Sequence, residues 1–301
     1  MNTLLNQDPA GIKQVCLTDC KNTLEEFMAV VRYHAELIFS PEFCENIRAN
    51  RRLIDRFLAE NRAIYGVTTG FGENVRYTIS PKDATTLQEN IVRTHSCAVG
   101  EPLDREQARA VMLMTILNDG KGHSGIRIET LDLIRQMLNL DIYPWAPGEG
   151  SVGYLGVEGH LAMAYIGEGK IYDHGELRPA DEVLKKYGLA PLKLSYKEGL
   201  SMLNGTITVT AMALLALYES VITMQNVEIA GALCYEALRG TDRELDPRIH
   251  AAKKHDEQIT AANNLRRMLK GSQICDKYRD AKVQDAYVMR SMAHIHGAAK
   301  K

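Results

Sequence analysis

The sequence predicts a mainly α-helical protein: an amino-terminal helical domain with short strands and loops, leading into part of a long helical bundle. Three observations carry this. Apolar residues recur at helical spacing along most of the chain. Capping residues (Ser40, Ser80, Asp104) stand just ahead of those stripes. One run, Thr206 to about Arg239, is rich in Ala, Leu, Met and Ile and apolar on most faces, as suits a helix inside a bundle.

The elements follow in order. Ser40-Pro41-Glu42 supplies an N-cap, a proline in the first turn and an acid at the positive end of the helix dipole. Phe43, Ile47, Leu53, Ile54, Phe57 and Leu58 continue it as an apolar stripe. Ser80-Pro81-Lys82-Asp83 opens a second helix by the same device, carrying Leu87, Ile91 and Val92. Asp104 caps a third, with Val111, Leu113, Met114 and Leu117 inside and Gly120 and Gly122 at its end. A fourth spans Ile128 to Leu140. Residues 142–158 read as loop, held by Pro144, Pro147 and glycines, its "PGEGSVG" a tight turn leading into a helix. "IGEGKIYDHGEL" has the pattern of a small β-hairpin, followed by a short helix from Pro179 to Tyr187 stopped by Gly188. The final stretch breaks off as a further helix begins, so something else is expected to cover the long apolar helix.

The chain has 301 residues, 45% hydrophobic and 25% charged, with a formal net charge of -2. That near-neutral balance gives no electrostatic case for nucleic acid or membrane surface. No apolar run approaches the roughly 20 residues of a membrane span, and the amino terminus lacks a signal-peptide layout. Cys16, Cys20, Cys44, Cys97, Cys234 and Cys275 are scattered. Cys16 and Cys20 have no second ligand pair nearby, so no metal site is expected, and reduced cysteines in the cytoplasm are the plain reading.

Four segments could carry chemistry. "YGVTTGFG" places Tyr65 and two threonines in a loop whose glycines allow close backbone approach; the plain alternative is a turn with a packed tyrosine. In "RTHSCAVGEP", His95 sits late in a helix, where a lone histidine is often structural. In "LSMLNGT", Asn204 ends one helix before another begins, the place of a capping asparagine. In "KVQDAYVMR", Gln284, Tyr287 and Arg290 follow closely, the last two sharing a helical face; a salt-bridged surface is the alternative. A phosphate-binding loop is not supported, since GEGSVG and TTGFGE lack the Lys-Ser/Thr of a P-loop and a flanking βαβ pattern.

Together these segments resemble the histidine and aromatic amino acid ammonia-lyase family. The matching strings are "YGVTTGFG", "LQENIVRTHSCAVGEPL", "GHSGIRIETLDLI", "IYPWAPGEGSVG", "IGEGK", "LAPLKLSYKEGLSMLNGT", "DPRIHAAKKHDEQ" and "KVQDAYVMR". They fall in family order from about residue 50 to the carboxyl end. The resemblance implies an ammonia-lyase/fumarase-like fold, tetramers around a central bundle and active sites shared between subunits. It divides the chain into an active-site domain, 1–203, and the first part of the central bundle, 204–301. By the same resemblance Tyr65 corresponds to the base that removes the β-proton and His95 to the histidine of the histidine-specific branch. Asn204, Gln284 and Tyr287 correspond to pocket residues around the amine and electrophile, Tyr287 being taken with Tyr65 as catalytic, and Arg290 to the carboxylate clamp. A guanidinium fork suits a carboxylate, and a tyrosine, with an ordinary pKa of about 10, needs positive charge or donors nearby to act as a base.

Two departures stand against the family pattern. Where the family carries Ala-Ser-Gly after GSVG, this chain has Tyr154-Leu155-Gly156. In the family those residues cyclise and lose water to give methylidene-imidazolone; without the serine hydroxyl that cofactor is not expected here, nor any other. Family chains also run on through the rest of the bundle and a catalytic glutamate. The expectation is therefore one subunit of a split, methylidene-imidazolone-independent lyase acting on a small amino- or hydroxy-carboxylate. A second polypeptide would supply the remaining bundle half, in a hetero-oligomer of family-like symmetry. The alternatives are a non-catalytic, site-completing or regulatory subunit, and a carboxylate-binding protein.

Overall fold

The computed structural model describes residues 5–19, 21–80, 83–150, 153 and 155–301. These residues are mainly α-helical and form two compact units, Gln7–Ala216, and Leu217–Lys301 with residues 5–6.

The first unit opens with β1 (Gln14–Leu17), α1 (Leu24–Val31) and β2 (Glu36–Phe39), the strands pairing in parallel. Then come α2 (Pro41–Ala59), α3 (Ala84–His95), β3 (Val99–Pro102), α4 (Arg105–Asp119) and α5 (Ile128–Asn139). The predicted N-caps hold for α2, where Ser40 Oγ accepts from Phe43 N–H at 3.0 Å, and for α4, where Asp104 and Gln107 form a reciprocal capping box. At the second predicted start, Pro81 and Lys82 lie outside the described residues. There Ser80 Oγ accepts from Asp83 N–H, and α3 begins one residue later without a side-chain cap. Of the predicted α2 stripe only Phe43 and Ile47 are buried.

The core of this unit lies between α4 and α5, with Val111, Met112, Ile116, Leu131, Ile134 and Met137 closed to solvent. Arg109, 1% exposed, crosses it. Its guanidinium donates to the carbonyls of Val30, Val31 and Leu138 and to Asp141, satisfying the carboxyl ends of α1 and α5. Burial, opposed by Asp141, pushes its pKa down to about 10.

The stretch expected to be loop is more ordered than that. It holds β4 (Ile142–Pro144) and β5 (Pro147–Glu149), and α6 (Gly156–Tyr165) starts inside it. Three-residue strands are too short for periodicity to reveal; what defines them is pairing, β5 with β3 and β4 with β6. The hairpin is β6 (Lys170–Asp173) with β7 (Glu176–Pro179), followed by α7 (Ala180–Lys186) and α8 (Glu198–Leu203).

The predicted long helix is α9, Ile207–Ala237. By length and composition the Glu198–Ala237 stretch is apolar enough to cross a membrane, with mean hydropathy 1.7 over its most apolar window, which corrects the sequence reading. Within Thr206–Ala237 only Glu219, Glu228 and Glu236 are charged, so the average stays high; a bundle helix covered on several sides has the same composition. In the second unit the carboxyl half of α9 joins α10 (Pro247–Lys253), α11 (Asp256–Met268), α12 (Gln273–Tyr278) and α13 (Tyr287–Lys300). Ala232, Tyr235, Leu245, Ala262, Leu265, Met289 and Ala293 form its core. Glu228 is buried there with Lys300 at 3.1 Å and Asn264 donating at 3.0 Å.

Candidate functional site

Tyr65 stands at the head of its glycine-rich loop, 52% exposed. Its phenolic oxygen accepts the backbone N–H of Gly72 at 3.0 Å, and its ring meets Phe71 edge-on at 6.4 Å. The two threonines are buried and serve the loop's own backbone. Thr68 Oγ1 accepts from Ile64 N–H and donates to the Arg62 carbonyl, and Thr69 Oγ1 donates to the Gly70 carbonyl. Gly66, at φ +66, seats the loop on α8: a Cβ there would lie 2.4 Å from the Leu200 side chain.

Helix α8 is held in turn by Glu198, which is fully buried and accepts from Arg127, Thr130 Oγ1 and the Ser195 N–H. Gln88 of α3 accepts from Leu200 N–H at 3.1 Å, and Gly199 passes so close that a Cβ would meet the Gln88 carbonyl at 2.4 Å. Asn204 is the exposed C-cap of this helix.

His95 is the last residue of α3 and half-buried. Its Nδ1 lies 2.8 Å from the Ile91 carbonyl, a bond that assigns the proton to Nδ1 and leaves Nε2 as an acceptor. Helix α6 packs directly beneath it: a Cβ on Gly159 would lie 2.9 Å from the His95 carbonyl carbon. Tyr65, His95, Asn204 and the start of α6 are thus carried on elements locked around α3 and α8.

Of the segment that the resemblance sets against the cofactor triad, Tyr154 lies outside the described residues. Leu155 precedes α6 at φ 77, ψ -54, a positive-φ conformation that L side chains rarely adopt, and Gly156 is the first helical residue. The Leu155 side chain is a hydrocarbon with no hydroxyl to eliminate, so it does not fit the imidazolone chemistry.

Gln284, Tyr287 and Arg290 fall in the second unit. Asp285 is buried and accepts from Thr241 N–H and Lys282 Nζ, fixing the turn before α13. Arg290 Nε donates to the Asp285 carbonyl at 3.0 Å, and its guanidinium carbon lies 5.4 Å from the ring centre of Tyr287. Tyr287 is 75% exposed and Gln284 is exposed. The shared face expected for Tyr287 and Arg290 is present, and among the described residues neither makes a salt bridge.

One group escaped the sequence reading. Glu158 on α6 is 2% exposed, and its Oε1 accepts from the N–H and hydroxyl of Thr208, in the first turn of α9. The available signal was the single acid of a largely apolar helix that begins at Gly156. Among the described residues no group of three or more metal-type ligands gathers.

Residues 22–301 match the family model described as aromatic amino acid lyase. The histidine ammonia-lyase of Alkaliphilus oremlandii (strain OhILAs) is 37% identical over 292 residues, covering 96% of this chain and 58% of that protein. That of Streptococcus pyogenes serotype M1 is 37% identical, over 92% of this chain and 55% of its own length. Among solved structures, histidine ammonia-lyase from Trypanosoma cruzi superposes with a TM-score of 0.83 at 34% identity, over 95% of this chain and 53% of that one. Tyrosine aminomutase from Streptomyces globisporus gives 0.87 at 31%, over 95% and 58%. The chain spans a little over half the length of the curated relatives it matches.

Proposed function

The chain belongs to the aromatic amino acid lyase family, and from that premise we propose that it works in an ammonia-lyase-like enzyme eliminating, or adding, a carbon–heteroatom bond on a small amino- or hydroxy-carboxylate. Tyr65 takes the β-proton, and Arg290 holds the carboxylate. The observation that carries this reading is the phenol of Tyr65, solvent-exposed yet oriented by the Gly72 N–H in a loop seated on α8. A tyrosine kept only for packing has no need of that donor.

The reaction proceeds without methylidene-imidazolone on this chain, because Leu155 brings no hydroxyl to the position. Histidine-like substrates come first, since relatives sharing 37% of the sequence carry the name histidine ammonia-lyase. His95 Nε2 is an acceptor suited to an imidazole N–H.

The apolar side chains of Leu217, Val227, Ile229, Leu233 and Leu238 on and just after α9 are exposed. We propose that further bundle helices of a second polypeptide cover them, in an assembly of family-like tetrameric symmetry. The bare position at Leu155 favours one further reading, in which this chain completes a site whose electrophile sits on the partner. Assaying ammonia release from L-histidine by the chain with and without an imidazolone-bearing partner separates the two. Release by an assembly holding no imidazolone supports the first reading; release only with an imidazolone-bearing chain supports the second. No release in either case overturns both.

A further inference from the structure

We infer that Glu158 is the receptor for the substrate's ammonium group, an assignment that rests on the lyase reading and adds a residue outside the set given by resemblance. Its carboxylate is divided between two tasks. Oε1 is saturated by Thr208, through N–H at 3.1 Å and hydroxyl at 2.7 Å. Oε2 is closed to solvent and, among the described residues, has no hydrogen-bond partner. No ion pair among them neutralises it either. A buried acceptor left open is rare, and a buried carboxylate without a cation is costly, so this oxygen calls for a donor, best a charged one.

Its location says which donor. Glu158 lies two residues past Gly156, where the altered triad ends. The residue after it, Gly159, touches the backbone of His95. Thr208 is four residues past Asn204, and Gly153, on the other side of the triad, approaches the Val209 side chain so that a Cβ would lie at 3.4 Å. The open oxygen therefore sits where α6 meets the first turn of α9, between the segments that carry His95, Leu155 and Asn204.

The chemistry gives the carboxylate a task. With no electrophile to take up the amine, nitrogen must leave as neutral ammonia, because an unprotonated amine would have to depart as an amide anion. The nitrogen must then enter with three protons. A carboxylate facing it keeps it in that form and orients it. The β-proton passes to the Tyr65 oxygen, the Cβ–H electron pair becomes the new double bond, and the Cα–N pair leaves with the nitrogen as ammonia.

The test is isothermal titration of the assembled protein with L-histidine and with 3-(imidazol-4-yl)propanoate, which differ only in the amine. The wild type is expected to prefer L-histidine. A charged hydrogen bond of this kind makes the expected loss of that preference in Glu158→Gln about 10–100-fold, with the propanoate affinity held within about twofold. The Gln carbonyl can still accept from Thr208, so a purely structural role leaves the ratio unmoved. Glu158→Asp, which keeps the charge but withdraws the oxygen, is the second variant should the first not fold. An unchanged ratio in a folded variant, or a wild type with no amine preference, overturns the assignment. Ammonia release measured on the same samples separates this from the lyase reading. A collapsed ratio without release leaves the amine site standing and removes the lyase; release with an unchanged ratio does the reverse.

Discussion

The phenolic oxygen of Tyr65 accepts the backbone N–H of Gly72 at 3.0 Å, across a loop that doubles back on itself in eight residues. Gly72 takes a positive φ of 54 to present that N–H, and the buried hydroxyls of Thr68 and Thr69 tie the turns between. A donor aimed at the phenol oxygen fixes where that oxygen points.

Tyr65→Phe is therefore expected to keep the fold and ligand affinity while turnover falls about 10²–10⁴-fold, the usual loss on removing a general base. Arg290→Ala should act differently, weakening carboxylate ligands. Steady-state kinetics with calorimetry on both variants checks this, and full activity in Tyr65→Phe would remove the catalytic reading.

The intact mass of the purified chain should equal that of the unmodified sequence, with no near-ultraviolet band from an imidazolone. The motive is Leu155, whose side chain has no hydroxyl to lose. A mass lower by two waters contradicts it.

Asp119 gives stability a pH dependence. It is buried at the end of α4, with Oδ2 unpartnered among the described residues. Burial raises its pKa from 3.8 to about 7, against the pull of Asn118 and Lys197. A carboxyl raised in the fold contributes stability in full below its unfolded pKa and loses it as pH rises through the folded one. The loss therefore runs from about pH 4 to about pH 7, on the order of 4 kcal/mol at most. Asp119→Asn should raise the thermal midpoint more at pH 8 than at pH 4; an equal shift at both would show that the carboxyl is not titrating as described.

Gly159→Ala tests the seat of His95. The added methyl would lie 2.9 Å from the His95 carbonyl carbon and 3.0 Å from Ser96 N, both backbone. Overpacking of this sort costs about 1–3 kcal/mol, outweighing the roughly 1 kcal/mol that alanine gains over glycine in a helix. Denaturant unfolding should show the net loss, and an unchanged midpoint would mean that α3 and α6 can separate freely.

The exposed apolar side chains along α9 lead to the last expectation. Made alone, the chain should self-associate or lose cooperative unfolding, and supplying bundle helices from a partner should restore a defined assembly. Light scattering coupled to size exclusion decides it, since a stable, cooperatively unfolding monomer needs no cover.

The sequence by itself determined α2, α4, α5 and the long α9, because caps and apolar spacing are local properties. Ser40 and Asp104 bind the amides they precede, and the apolar spacing from Ile128 to about Leu140 is met by α5. Family motifs also marked Tyr65, His95 and Asn204 in advance. Only the tertiary structure decided what surrounds each. The threonines of the Tyr65 loop turned out to brace its backbone, and three-residue strands appeared where the sequence showed only prolines and glycines. Such strands exist through partners distant in the chain, as Ile142 does through Asp173. Glu158 was one acid among many until α9 was laid against α6. Its burial, the bond from Thr208 and the open oxygen arise from residues fifty positions apart, and no local pattern encodes such a meeting.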